Sequence, residues 1–156
     1  MMKTPDIEDD LFQILKINNL SDEYRHFTFH HMGIATNDIE STFEDYQNIL
    51  YVKGDYYVDE KMGVRGLFAL NDTMPNLEIL ENLSDSHSLD VYLKYFMTVF
   101  HQAYIVDDFE YCFNMLVNQL KCKIISEIYN SSFFKGKCCY ILTPDRNTLE
   151  LIEDKR

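Results

Sequence analysis

The sequence predicts an α+β chain built from two tandem βαβββ modules, and three observations carry that prediction. One segment repeats without a gap: 31–50, HMGIATNDIESTFEDYQNIL, overlies 101–120, HQAYIVDDFEYCFNMLVNQL, at an offset of 70 residues. A second pair, LEILE at 77–81 and LELIE at 149–153, follows at an offset of 72. Apolar positions inside both copies fall at helical spacing, and turn signals divide the remainder into short strands.

The overlay matches His31 with His101, Asp38 with Asp108, Glu40 with Glu110, Phe43 with Phe113 and Leu50 with Leu120. Each copy therefore reads as a strand ending in its His segment and then an amphipathic helix, carried by Ile39, Phe43, Tyr46 and Leu50 or by Phe109, Phe113, Leu116 and Leu120. Asn37 to Glu40 and Asp107 to Glu110 have capping-box spacing, which predicts equivalent helix starts. Strands are expected over 51–58 and 64–70, then over 123–128 and 137–142, with the L-E-[IL] segments as last strands. The domain boundaries follow: an N-terminal extension over 1–26, module 1 over 27–82, a linker with a short helix over 89–97 within 83–98, and module 2 over 99–156. Within the extension, 6–15 has the pattern of an amphipathic helix packed on the domain.

Acidic residues outnumber basic ones by 26 to 14, for a formal charge of -12, so a broad phosphate-binding surface is not expected and nucleic acid is a poor partner. No apolar run approaches the ~20 residues of a membrane span, and the start lacks the pattern of a secretory signal, so a cytoplasmic location is expected. Cys112, Cys122, Cys138 and Cys139 contain no C-x-x-C, and reduced, buried thiols are the reading.

The chemistry then rests on His and carboxylates. Side chains alternate along a strand, so His31 shares a face with Gly33 and Ala35, while Met32 and Ile34 point toward the helix. A ring followed by such small residues marks a face kept open for binding. Glu78 and Glu150 each sit inside an apolar strand, where an unpaired charge is costly, so each needs a partner. Two His and two Glu at duplicated positions, His31, Glu78, His101 and Glu150, are what a pseudo-two-fold metal site requires. His30 competes with His31 for the first place, and register favours His31. His26 and His87 have no counterpart in the other copy and are read as surface residues, as Glu81 and Glu153 are read as solvated strand ends.

In the segments 30–35 (HHMGIA), 77–81 (LEILE), 101–108 (HQAYIVDD) and 149–153 (LELIE) the chain resembles the vicinal oxygen chelate (glyoxalase-like) superfamily, with the methylmalonyl-CoA epimerases as the nearest pattern. The resemblance implies a cupped, incomplete barrel around one divalent metal ion (Zn, Ni, Co, Fe or Mn), with ligands at His31, Glu78, His101 and Glu150. It implies proton abstraction next to a metal-bound carbonyl, with Glu150 or Glu78 as the base, on a small-molecule substrate that is an acyl-CoA or a thiol adduct. A glyoxalase I-like lactoylglutathione lyase and a non-catalytic small-molecule binder are the alternatives, and a homodimer is the assembly implied. Arg65, Lys135 and Lys137 are the cations nearest to an anionic tail. Phe96, Phe100 and Tyr104 either line an apolar pocket or fill the core.

Overall fold

The computed structural model describes residues 26–156, so the helix expected over 6–15 lies outside the described residues. The chain runs β1 (Phe27–Ala35), α1 (Ile39–Gln47), β2 (Val52–Asp59), β3 (Val64–Leu70), β4 (Leu77–Asn82), α2 (Asp90–Lys94) and β5 (Val99–Val106). It continues through α3 (Phe109–Asn114), a π-helical stretch (Met115–Gln119), β6 (Lys123–Ile124), β7 (Tyr129–Asn130), β8 (Lys137–Leu142) and β9 (Thr148–Ile152).

The strands form a single mixed sheet in the order β2-β3-β4-β1-β5-β9-β8-β6, with β7 also on β8. The antiparallel β1–β5 pair is its centre; β4 lies parallel to β1 on one side, and β9 parallel to β5 on the other. The path ends at β2 and β6 without closing, and the sheet curls instead. Tyr57 of β2 packs on Phe133 near the far end, with ring centroids 4.8 Å apart, and Ser132 Oγ donates to the Val58 carbonyl at 3.1 Å. One face is thereby cupped.

Helices α1 and α3 cover the opposite face. Ile39 and Phe43 of α1 pack on Ile34, Leu67, Ala69 and Ile79, while Phe109 and Cys112 of α3 pack on Val106, Cys139, Ile141 and Leu151. Full burial of such a side chain contributes about 1.5–3 kcal/mol, so these two layers fix the sheet that carries the concave face. Gly63, at φ +69, makes the turn between β2 and β3 that only glycine adopts readily. Among the described residues no helix is long and apolar enough to cross a membrane.

Four local expectations are corrected. The caps fall one residue later than the capping boxes place them: Asp38 and Asp108, both extended, accept from Ser41 N–H and Tyr111 N–H. Glu40 and Glu110 then turn outward to Lys53 and Lys137. The 123–128 strand breaks after Ile124, because Ser126 Oγ takes the Tyr140 N–H in place of a ladder carbonyl, and pairing resumes only at Tyr129. The linker helix stops at Lys94, and Phe96 turns the chain with φ 55. Glu81 and Glu153 are bonded strand ends, since Glu81 accepts the Ile39 N–H at 2.8 Å and Glu153 the Lys137 N–H at 3.0 Å.

Candidate metal centre

Each of the four central strands sends one of the paired His and Glu side chains to the concave face. His31 on β1 stands across from Ala103 of β5, and His101 on β5 across from Gly33 of β1. Glu78 on β4 is level with Gly33, and Glu150 on β9 with Ala103. Each imidazole thus lies over the small residue opposite it, and a Cβ at Gly33 would overlap the His101 ring. What Gly33 keeps open is the place of the second histidine.

The β1–β5 register skips His30 just before His31 and Phe100 just before His101. Such bulges re-aim side chains. Here they put His30 and Phe100 on the concave side beside their neighbours: His30 Nδ1 is 2.7 Å from His31 Nδ1, and the Phe100 ring centroid is 4.5 Å from that of His101.

His31 Nε2 is 3.1 Å from His101 Nε2, 3.1 Å from Glu78 Oε2 and 3.4 Å from Glu150 Oε2. His101 Nε2 is 3.4 Å from each of the same carboxylate oxygens. The exposures of His31, Glu78, His101 and Glu150 are 0, 2, 2 and 3%, so solvent does not solvate the group. Burial alone lowers the imidazole pKa values and raises those of the carboxylates. The mutual attraction of the four outweighs it: both histidines are held above their ordinary range, and both glutamates below theirs.

Protons alone satisfy this arrangement poorly. Two Nε2 atoms 3.1 Å apart cannot both carry a hydrogen along their shared line. Glu150 Oε2 and His101 Nδ1 are buried without a hydrogen-bond partner. A single cation can meet all four. Ligands about 2.1 Å from one ion stand about 3.0 Å apart at a right angle and about 3.4 Å apart at the tetrahedral angle. The four ligand atoms lie within 4.8 Å of one another, so this buried His/Glu group has the donors and spacing to bind one metal ion.

The surroundings include residues that sequence reasoning missed. Tyr57 donates its hydroxyl to Glu78 Oε1, fixing the oxygen that faces away from the other three ligands. Gly66, opposite Tyr57, leaves room for its ring. Phe68 and Phe134 flank His31, with ring centroids 5.4 and 6.4 Å away. Burial and the neighbouring His31 push His30 down to about 4, so it stays neutral and can accept from His31 Nδ1–H. The signal for Tyr57 is its pairing with Gly66, visible only once β2 and β3 are in register.

Other expected residues do not join the site. Arg65 pairs with Glu81 and Lys137 with Glu110, and neither they nor Lys135 stands at the quartet. Phe96 is 91% exposed, and Tyr104 packs on Phe27 and Phe29; of the three aromatics only Phe100 reaches the cup. His26 pairs with Asp107 and His87 with Asp90 at the surface.

No protein-family model and no curated protein matches the sequence. Solved structures do match in fold, and the chain has the fold of the vicinal oxygen chelate superfamily. Methylmalonyl-CoA epimerase from Mycobacterium tuberculosis is 18% identical with a TM-score of 0.70, over 82% of this chain and 88% of that one. A hypothetical protein from Bacillus halodurans is 18% identical at 0.71, over 83% and 96%. A variant of Streptomyces coelicolor methylmalonyl-CoA epimerase in complex with 2-nitronate-propionyl-CoA is 21% identical at 0.67, over 82% and 97%.

Proposed function

We propose that this protein is a divalent-metal-dependent isomerase of the epimerase type, moving a proton on the carbon beside a carbonyl. The observation that carries the reading is the convergence of four buried ligand atoms at the centre of the cup. His31, Glu78, His101 and Glu150 hold the ion. Bound there, a divalent cation supplies Lewis acidity to a substrate carbonyl, which lowers the cost of removing the neighbouring proton.

The chain's own groups divide the remaining work unequally. Glu78 is tied by the Tyr57 hydroxyl and is the fixed carboxylate. Glu150 has no such tie: its Oε2 faces both Nε2 atoms at 3.4 Å with no hydrogen bond to hold it, so it is the carboxylate assigned to take the proton and return it. His30, neutral beside His31 Nδ1, sets the tautomer that leaves Nε2 free for the ion. Phe68 and Phe134 keep water from that side. The likeness to methylmalonyl-CoA epimerases, one solved with a nitronate analogue on coenzyme A, supports an acyl thioester as substrate.

The test is solvent exchange. Metal-reconstituted protein incubated in deuterated water with a series of acyl-CoA thioesters, from methylmalonyl-CoA to members with bulkier apolar acyl groups, is expected to load deuterium at the carbon beside the thioester carbonyl, and Glu150→Gln to lose at least about 100-fold of that rate. Exchange absent from metal-loaded wild type across the whole series overturns the epimerase reading. Exchange confined to a thiol adduct of an oxoaldehyde replaces it with the lyase.

A further inference from the structure

The concave face holds more than the quartet. Next to it is a cavity of about 240 Å³ whose wall includes Val64, Leu80, Leu89, Tyr92, Phe100 and Tyr140. Leu80 stands two residues along β4 from Glu78, and Tyr140 pairs with Glu150 across the β8–β9 ladder. The rings of Phe100 and Tyr140 lie 4.5 and 5.4 Å from that of His101, so cavity and quartet share a wall. The bulge at Phe100 is what puts that ring there.

The lining carries no charged side chain, and its two serines are already engaged. Ser88 Oγ donates to the Met62 carbonyl; Ser126 Oγ donates to the Glu127 carbonyl and accepts the Tyr140 N–H. The polar groups left over are the Tyr92 and Tyr140 hydroxyls, neither of which makes a hydrogen bond to any described residue; of the two, Tyr140 is the one whose ring lies against that of His101. An apolar cavity of about 150 Å³ already holds a benzene molecule. A carboxylate here would lose water with no cationic side chain in the lining to meet it.

Resting on the metal-centred reading above, we propose that this cavity is the subsite for an uncharged apolar substituent of the substrate, of phenyl or branched-alkyl size, next to the reacting carbonyl. Tyr140 donates its hydroxyl to an oxygen at the inner edge of that substituent. The substrate class is thereby narrowed to carbonyl compounds whose group beside the ion is larger and less polar than a methyl or a free carboxylate.

The probes are benzyl alcohol, toluene and benzoate, titrated into the full chain with and without metal while the methyl NMR signals of Met62, Val64, Leu80 and Leu89 are followed. Benzyl alcohol and toluene are expected to bind saturably, and benzoate at least about ten-fold more weakly. Tyr140→Phe is expected to weaken benzyl alcohol about three- to ten-fold and leave toluene unchanged. Ile125, which also lines the cavity, is 46% exposed, so Ile125→Trp fills the space from its rim without disturbing the core. This variant is expected to lose at least about ten-fold in binding both neutral probes at unchanged metal content. Non-saturable binding, benzoate as tight as benzyl alcohol, or full binding to Ile125→Trp overturns the proposal. Loss of metal binding with saturable neutral-probe binding overturns the epimerase reading while the cavity's selectivity stands, so the two failures are distinct.

Discussion

Gly33 and His101 occupy one place from opposite strands: they are paired across β1 and β5, and the imidazole fills the volume a side chain at 33 would take. Gly33→Ala is therefore expected to push the ring off the quartet and weaken metal binding about 10- to 100-fold, the range found when a ligand's support is removed. Competition against a chelator of known affinity measures it. Unchanged affinity would mean that His101 is not held by this contact.

Tyr57 has a narrower role. Tyr57→Phe keeps the ring packed against Phe68 and Phe133 and removes only the bond to Glu78. Metal affinity is expected to fall about ten-fold with little change in thermal midpoint. A large drop in midpoint at unchanged affinity would make the hydroxyl a purely structural group.

Glu81 joins sheet to helix by accepting the first amide of α1, from Ile39, while pairing with Arg65. Its carboxylate also lies at the positive end of the helix. Glu81→Ala is expected to destabilise the fold by about 1–2 kcal/mol in urea denaturation, with bound metal per chain unchanged. Loss of metal at full stability would contradict this division of labour.

Burial, aided by Asp107, pushes the Cys112 thiol from 9.0 up to about 11, and burial with Glu150 pushes Cys139 from 9.0 up to about 12. Between those limits the folded chain keeps protons that the unfolded chain has released, so stability falls as pH rises from about 9 toward 12. All four cysteines are buried and unpaired. A disulfide reagent at pH 8 is expected to label them only after denaturant is added; fast labelling of the native protein would show that the layers covering them open readily.

How much of this was legible in the sequence depends on which physics sets each feature. The overlay of 31–50 on 101–120 singled out His31 and His101, and the apolar flanks of Glu78 and Glu150 singled out the carboxylates; the fold brings these four together. β3 and β8 begin and end where alternation and turn signals place them. Strict alternation, however, puts His30 and Phe100 on the wrong face. The bulges that turn them inward depend on pairing between β1 and β5, which no local pattern records. Ser126 breaks its strand through a bond to a residue on β8, and Tyr57 reaches Glu78 only because β2, β3 and β4 lie side by side. Long-range register was the missing quantity in each case.

The proposed function stands on one cation held by His31, Glu78, His101 and Glu150. Elemental analysis of the reconstituted, desalted protein tests it most directly. One equivalent of a divalent metal per chain is predicted for wild type and for His87→Ala, and a small fraction of that for the His31→Ala/His101→Ala variant with its fold retained by circular dichroism. No metal on wild type, or a full equivalent on the double variant, would rule these four residues out as its ligands.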